Sequence, residues 1–254
     1  MREEFIKKNP MNAVPTIKKS NHLAKQNKEV LPICETINVF TDEEIEKFKG
    51  EAYKKYPSGK PKHNQASAYI LMLNTGLRTA EALDLINSDI DLEKKVMHIQ
   101  RGVKEAQKRD GTKRKSGREI VVGKLKTASS KRIVPLNETA IQAIIELRNE
   151  RYFGEDAPLI PDADGNFTRP LNLRKRFYSI LDAAGIEKKG LHSLRHTFAT
   201  KLVTGARAED GTVKALTPRQ VADLLGHTTS EITEMYYVKR NTDMLLGVTN
   251  GFEL

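Results

Sequence analysis

Apolar residues recur at helical spacing along most of the chain and give way to short β-branched runs only in its middle. Thr41 and Glu44 form a capping box, in which each side chain satisfies an open backbone donor at a helix start, and predict a helix to about Lys55. Two more helices fit Asn64 to Asn74 and Thr79 to Ile86. From Val96 the texture changes. Val96 to Val103, Arg118 to Leu125 and Lys131 to Leu136 are short segments rich in Val and Ile, separated by Gly and charged residues, and predict a small antiparallel sheet. Asn137 caps a helix through about Tyr152, and helices resume at Asn172 to Ala184 and Leu191 to Val203. Thr217-Pro218-Arg219-Gln220 joins a capping box to a proline at the first helical position, and Gly226 sits where that short helix should end. Thr228 and Glu231 then cap a helix carrying Tyr236. The predicted class is mainly α with a small antiparallel β-sheet, an α+β domain. Residues 10–38, with Pro10, Pro15 and Pro32 in a Lys/Asn-rich stretch, read as a linker ahead of it.

Composition narrows the partners. With 38% hydrophobic residues over 254 positions the chain can bury a core, as one large domain or a domain with an appendage. Forty-three Lys and Arg against thirty-three Asp and Glu leave a formal charge of +10, which suits a polyanion, nucleic acid being the commonest. A soluble protein that happens to be basic fits the charge too. Cys34 is the single cysteine, so an internal disulfide or thiolate metal cluster is excluded and a reducing compartment is expected. The start, Met1-Arg2-Glu3-Glu4, has no signal-peptide core, and Tyr69 to Leu73 is too short an apolar run to span a bilayer. The expectation is a cytoplasmic protein without a membrane partner.

Four short patterns carry candidate chemistry. In Thr75-Gly76-Leu77-Arg78-Thr79-Ala80-Glu81 a glycine can end one helix and an arginine opens the next, where open amides and a guanidinium together would receive a phosphate; a plain helix turn reads the same way. His192 and Arg195 lie side by side at the edge of their helix and can present two donors to one anion, although such pairs are also ordinary surface residues. Leu225-Gly226-His227 stands nine positions before Tyr236. A repressor-type helix-turn-helix over Leu216 to Tyr237 competes with this reading, but its reading helix would present Glu231 and Glu234 where base-reading side chains are expected.

In this order the patterns resemble the tyrosine recombinase, or phage integrase, family, and the overall texture is similar to integrases of bacterial conjugative transposons. The resemblance implies a catalytic set of Arg78, Lys126, His192, Arg195, His227 and Tyr236, supported by Glu81, with Lys124 as the rival for the lysine and Ser129 to Leu136 as the run after it. It implies double-stranded DNA as substrate, no cofactor or metal, a 3′-phosphotyrosyl intermediate, and self-association on DNA as a synaptic tetramer, with accessory DNA-bending or directionality proteins as further partners. It implies three parts: residues 1–38 as the remnant of a preceding helical DNA-binding domain plus linker, 39–240 as catalytic domain, and 241–254 as a tail docking on a neighbouring subunit. The chain is thereby expected to be truncated. Two stretches depart from the family pattern. Gly205 to Ala215 reads as an inserted loop. Lys104 to Arg118 is lengthened and basic, through Lys104, Lys108, Arg109, Lys113, Arg114, Lys115 and Arg118, and reads as a loop that reaches along DNA or is simply solvated. A type IB topoisomerase and a non-catalytic DNA-binding protein are the alternatives.

Overall fold

Thr41 caps the first helix as its spacing from Glu44 requires: its hydroxyl accepts the Glu44 N–H at 3.2 Å, and the Glu44 carboxylate accepts the Thr41 N–H at 2.8 Å. The computed structural model describes residues 38–110, 113–124, 131–207 and 213–226. Helix α1 (Asp42–Ala52) turns Phe48 inward against Phe40 and Phe177, with ring centroids 5.9 and 5.6 Å away. Helix α2 (Ser67–Thr75) is buried from Ser67 through Leu73, as a helix apolar on all sides must be. It begins later than its apolar pattern predicts. Gln65 takes φ 56°, which no helical residue adopts, and the Glu150 carboxylate accepts its N–H at 2.8 and 3.0 Å.

After α3 (Thr79–Asp84) and a 3-10 turn at Asn87–Asp89, the chain makes β1 (Ile90–Asp91), β2 (Val96–Ile99), β3 (Arg101–Asp110), β4 (Lys113–Lys124) and β5 (Arg132–Pro135). The antiparallel sheet has the order β1-β2-β5, with Met97 opposite both Ile90 and Val134. Strands β3 and β4 form a separate hairpin, so the basic stretch from Lys104 to Arg118, expected as a loop, consists largely of paired strand. Its register sets Lys104 opposite Val121, Gln107 opposite Arg118, Arg109 opposite Arg114 and Asp110 opposite Lys113. Arg101 fastens the base of the hairpin, donating from Nε to Asp84 at 3.2 Å and from Nη2 to Asp89 at 2.7 Å.

Helices α4 (Glu138–Glu150), α5 (Pro170–Ala183) and α6 (His192–Thr204) complete the core, α4 and α6 packing against α2 and α5 against α1. Asn137 caps α4 by accepting the Ala140 N–H at 2.8 Å. The expected inserted loop after α6 contains two short paired strands, β6 (Ala206–Arg207) and β7 (Val213–Lys214). Helix α7 (Pro218–Leu225) is capped by Thr217, ends at Gly226 with φ 66°, and lays Val221 and Leu225 against Ala199 and Phe198 of α6. Among the described residues no helix is long and apolar enough to cross a membrane. The linker, Cys34, the Tyr236 helix and the 241–254 tail lie outside the described residues.

Candidate active site

Gly76 ends α2 with φ 64° and lets the chain reverse directly into Arg78, the residue before α3. One turn on, Glu81 reaches back: its carboxylate accepts the Arg78 backbone N–H at 2.8 Å and the Arg78 Nη1 at 2.7 Å. Glu81 is buried, and a carboxylate removed from water persists as an anion only among cations. Arg132, from β5, supplies a two-pronged contact, Nη1 to Oε1 at 3.1 Å and Nη2 to Oε2 at 3.0 Å, while Arg195 Nη1 stands 3.9 Å from Oε2. Burial opposes ionisation of Glu81, but its arginine contacts, Arg132 foremost, outweigh it and hold the carboxyl below its ordinary value.

The same three guanidinium groups hold the end of α7. Arg132 Nε donates to the Leu224 carbonyl at 2.7 Å, Arg195 Nη2 to that of Leu225 at 2.7 Å, and Arg78 Nη2 to that of Gly226 at 3.4 Å. Carbonyls at a helix C-terminus lack helical partners and carry its partial negative charge, so cations satisfy them twice over. Arg195 Nη1 also donates to the Gly76 carbonyl at 2.6 Å, which clamps the ends of α2 and α7 together. Exposure separates the three. The Arg78 side chain is 35% exposed, that of Arg132 7% and that of Arg195 2%, so Arg78 is the one open to an incoming anion.

His192 opens α6 as an exposed residue, with its ring edge-on to that of His196, 4.6 Å between centroids and 89° between planes. Partial burial of the ring, then the charges of Arg195 and Arg78, lower the His192 pKa against a smaller pull from Glu81. Because the residue is exposed, the cationic neighbours are the firmer cause. His196 is pushed down to about 4, by burial first and then by His192 and Arg195.

Arg78, Glu81, His192 and Arg195 are thus brought together across α3, α6 and the end of α7. Lys126, His227 and Tyr236 lie outside the described residues, although Gly226, next to His227, is in the cluster. The basic hairpin residues are placed by register alone. Sequence reasoning missed two participants. Arg132 was in view only as part of the Ser129 to Leu136 run, and His196 was legible from its position one helical turn beyond His192.

Solved structures of an integrase and a site-specific recombinase share this fold. The Tn1549 transposon integrase in complex with transposon right end DNA is similar at TM-score 0.65 and 20% identity, over 96% of this chain and 72% of that one. The XerH site-specific recombinase bound to palindromic difH substrate follows at TM-score 0.57 and 24% identity, over 84% of this chain and 52% of that one. The chain belongs to the phage integrase family, whose profile matches residues 38–243. A tyrosine recombinase XerC-like protein of Caldanaerobacter subterraneus subsp. tengcongensis is 32% identical over 216 residues, 79% of this chain and 50% of the relative. The tyrosine recombinase XerS of Streptococcus gordonii is 23% identical, over 92% of this chain and 60% of the relative. The chain therefore spans about half to three fifths of these curated relatives.

Proposed function

We propose that the chain is the catalytic part of a site-specific DNA recombinase that cleaves and rejoins duplex DNA through a 3′-phosphotyrosyl intermediate on Tyr236, acting in the bacterial cytoplasm. The observation that carries this reading is the convergence of Arg78, Arg132 and Arg195 on Glu81 and on the end of α7, one residue before His227. A tyrosine hydroxyl, with a pKa of about 10, is almost wholly protonated at neutral pH, so attack on phosphorus needs a proton acceptor and help with the charge that builds there. Arg78, open to solvent, takes the non-bridging oxygens of the phosphate, and Arg195 adds its charge from behind. His192, its pKa lowered, is neutral near pH 7 and assists removal of the tyrosine proton together with His227.

In the forward step the Tyr236 oxygen bonds to phosphorus, the bond to the 5′ oxygen breaks, and Lys126 gives that oxygen its proton. The phosphotyrosyl bond keeps the energy of the phosphodiester. A 5′ hydroxyl from a partner duplex can thus reverse the step without ATP, and recombination is that reversal with an exchanged strand. On paired sites four copies assemble, joined through residues 241–254, with accessory DNA-bending or directionality proteins setting the outcome. The hairpin residues Lys104, Lys108, Arg109, Lys113, Arg114, Lys115 and Arg118 bind the DNA backbone. No observation favours the topoisomerase or the non-catalytic reading.

Trapping on a nicked suicide duplex tests the reading. Tyr236→Phe should abolish the covalent adduct on a denaturing gel, and Tyr237→Phe should retain it, because adjacent residues of the helix that the sequence predicts there would point about 100° apart. Normal adduct from Tyr236→Phe would refute the assignment.

A further inference from the structure

Resting on that reading, we propose that Arg132 is a positioning residue, which fixes the end of α7 against Glu81, the carboxylate that holds Arg78. Its side chain is only 7% exposed, so it does not present itself to DNA. Its contacts point elsewhere. Both terminal nitrogens face the two oxygens of Glu81, and Nε faces the carbonyl of Leu224, two residues before Gly226. A guanidinium is planar and rigid, so contacts on two of its edges set the distance and angle between the groups they join. Arg132 therefore fixes α7 relative to α3 and Arg78.

Helix α7 has need of such a fastening. It is eight residues long, too short to persist alone, and its buried side chains Val221, Ala222 and Leu225 hold one face only. Sliding along that face is opposed at the C-terminal end by the arginine contacts at Leu224, Leu225 and Gly226. Arg195 also clamps Gly76 and Arg78 is open to phosphate, whereas Arg132, nearly buried, joins Glu81 directly to the Leu224 carbonyl of α7. Lysine in its place would keep a charge beside Glu81, but one ammonium cannot reproduce a fork on a carboxylate and a third contact on a carbonyl.

The test uses the full chain on a nicked suicide duplex, with Arg132→Lys and Arg132→Gln, reading melting temperature, DNA affinity and the single-turnover rate of adduct formation at saturating DNA. Arg132→Lys should fold and bind DNA within about threefold of the unsubstituted chain, while adduct formation slows by about 10- to 100-fold, the size of effect that a small misplacement of reacting groups produces. A duplex with sulfur bridging to the 5′ carbon, whose leaving group needs no proton, should restore Lys126→Ala but not Arg132→Lys. Unchanged adduct formation, affinity falling as far as the rate, or restoration by sulfur would each overturn the proposal. If Arg132→Gln does not fold, Arg132→Lys still decides. If neither folds, Arg132 is a structural ion-pair partner and the proposal fails. No adduct from the unsubstituted chain would instead refute the recombinase reading on which it rests.

Discussion

At the scale of single residues, the site separates charges that the sequence presents as equals. Arg78 and Arg195 look alike as motif arginines, yet one is open and the other has its terminal nitrogens on two backbone carbonyls. The difference follows from position. Arg78 sits at a half-buried helix start, whereas Arg195 lies on the side of α6 covered by α2 and α7. His196 gives a consequence for pH. Its folded pKa of about 4 lies below its ordinary 6.5, so the unfolded chain takes up the proton first. The stabilisation is therefore full above about pH 6.5 and is lost as pH falls toward 4, an effect of about 1–2 kcal/mol once solvent screening is allowed for. Among the described residues, His192 and Arg195 are charged neighbours that push the His196 pKa down. Asp84, raised to about 6 chiefly by burial, works in the opposite sense but is common to both proteins in a comparison with His196→Gln. The difference between their urea-derived stabilities should slope over this window; a flat difference would show that His196 is not held neutral.

At the scale of elements, what the sequence made legible is what local chemistry decides. The Thr41, Asn137 and Thr217 caps and the Gly226 stop mark helix ends because their partners are three or four residues away. The start of α2 was misplaced because Gln65 is held out of the helix by Glu150, 85 positions along the chain. The basic stretch from 104 to 118 hid its strands because its charges do not alternate with apolar residues, and pairing across the hairpin supplies the order instead. Arg132 was missed for a related reason: its partners Glu81 and Leu224 lie 51 and 92 positions away. The junction of α2, α6 and α7 is close enough to test. A Cβ on Gly76 would stand 2.5 Å from Phe198 Cδ1 and 2.7 Å from Leu225 Cδ2, and φ 64° already disfavours a side chain. Gly76→Ala should lower stability by about 2–4 kcal/mol, combining the left-handed backbone with overpacking. A urea midpoint that implies a loss under about 0.5 kcal/mol would show that the junction yields.

At the scale of the whole molecule, a net charge of +10 means that the proposed association with DNA should be governed by release of counterions and weaken as salt rises. If the hairpin binds the backbone, replacing Arg109 and Arg114, which face each other in register, removes two phosphate contacts. The doubly substituted Arg109→Ala, Arg114→Ala protein should then show a log affinity against log salt slope shallower by about 1.8, at about 0.9 per contact. An unchanged slope would place the hairpin away from DNA. Against this broad field stands a local one. Three guanidinium groups, those of Arg78, Arg132 and Arg195, are gathered on the one carboxylate of Glu81. A phosphodiester brings one negative charge, and the five-coordinate species formed during attack carries two. On the proposed reading, donors gathered at one place meet one charge in the waiting DNA and two at the moment of exchange, a difference that would lower the barrier by favouring the second over the first.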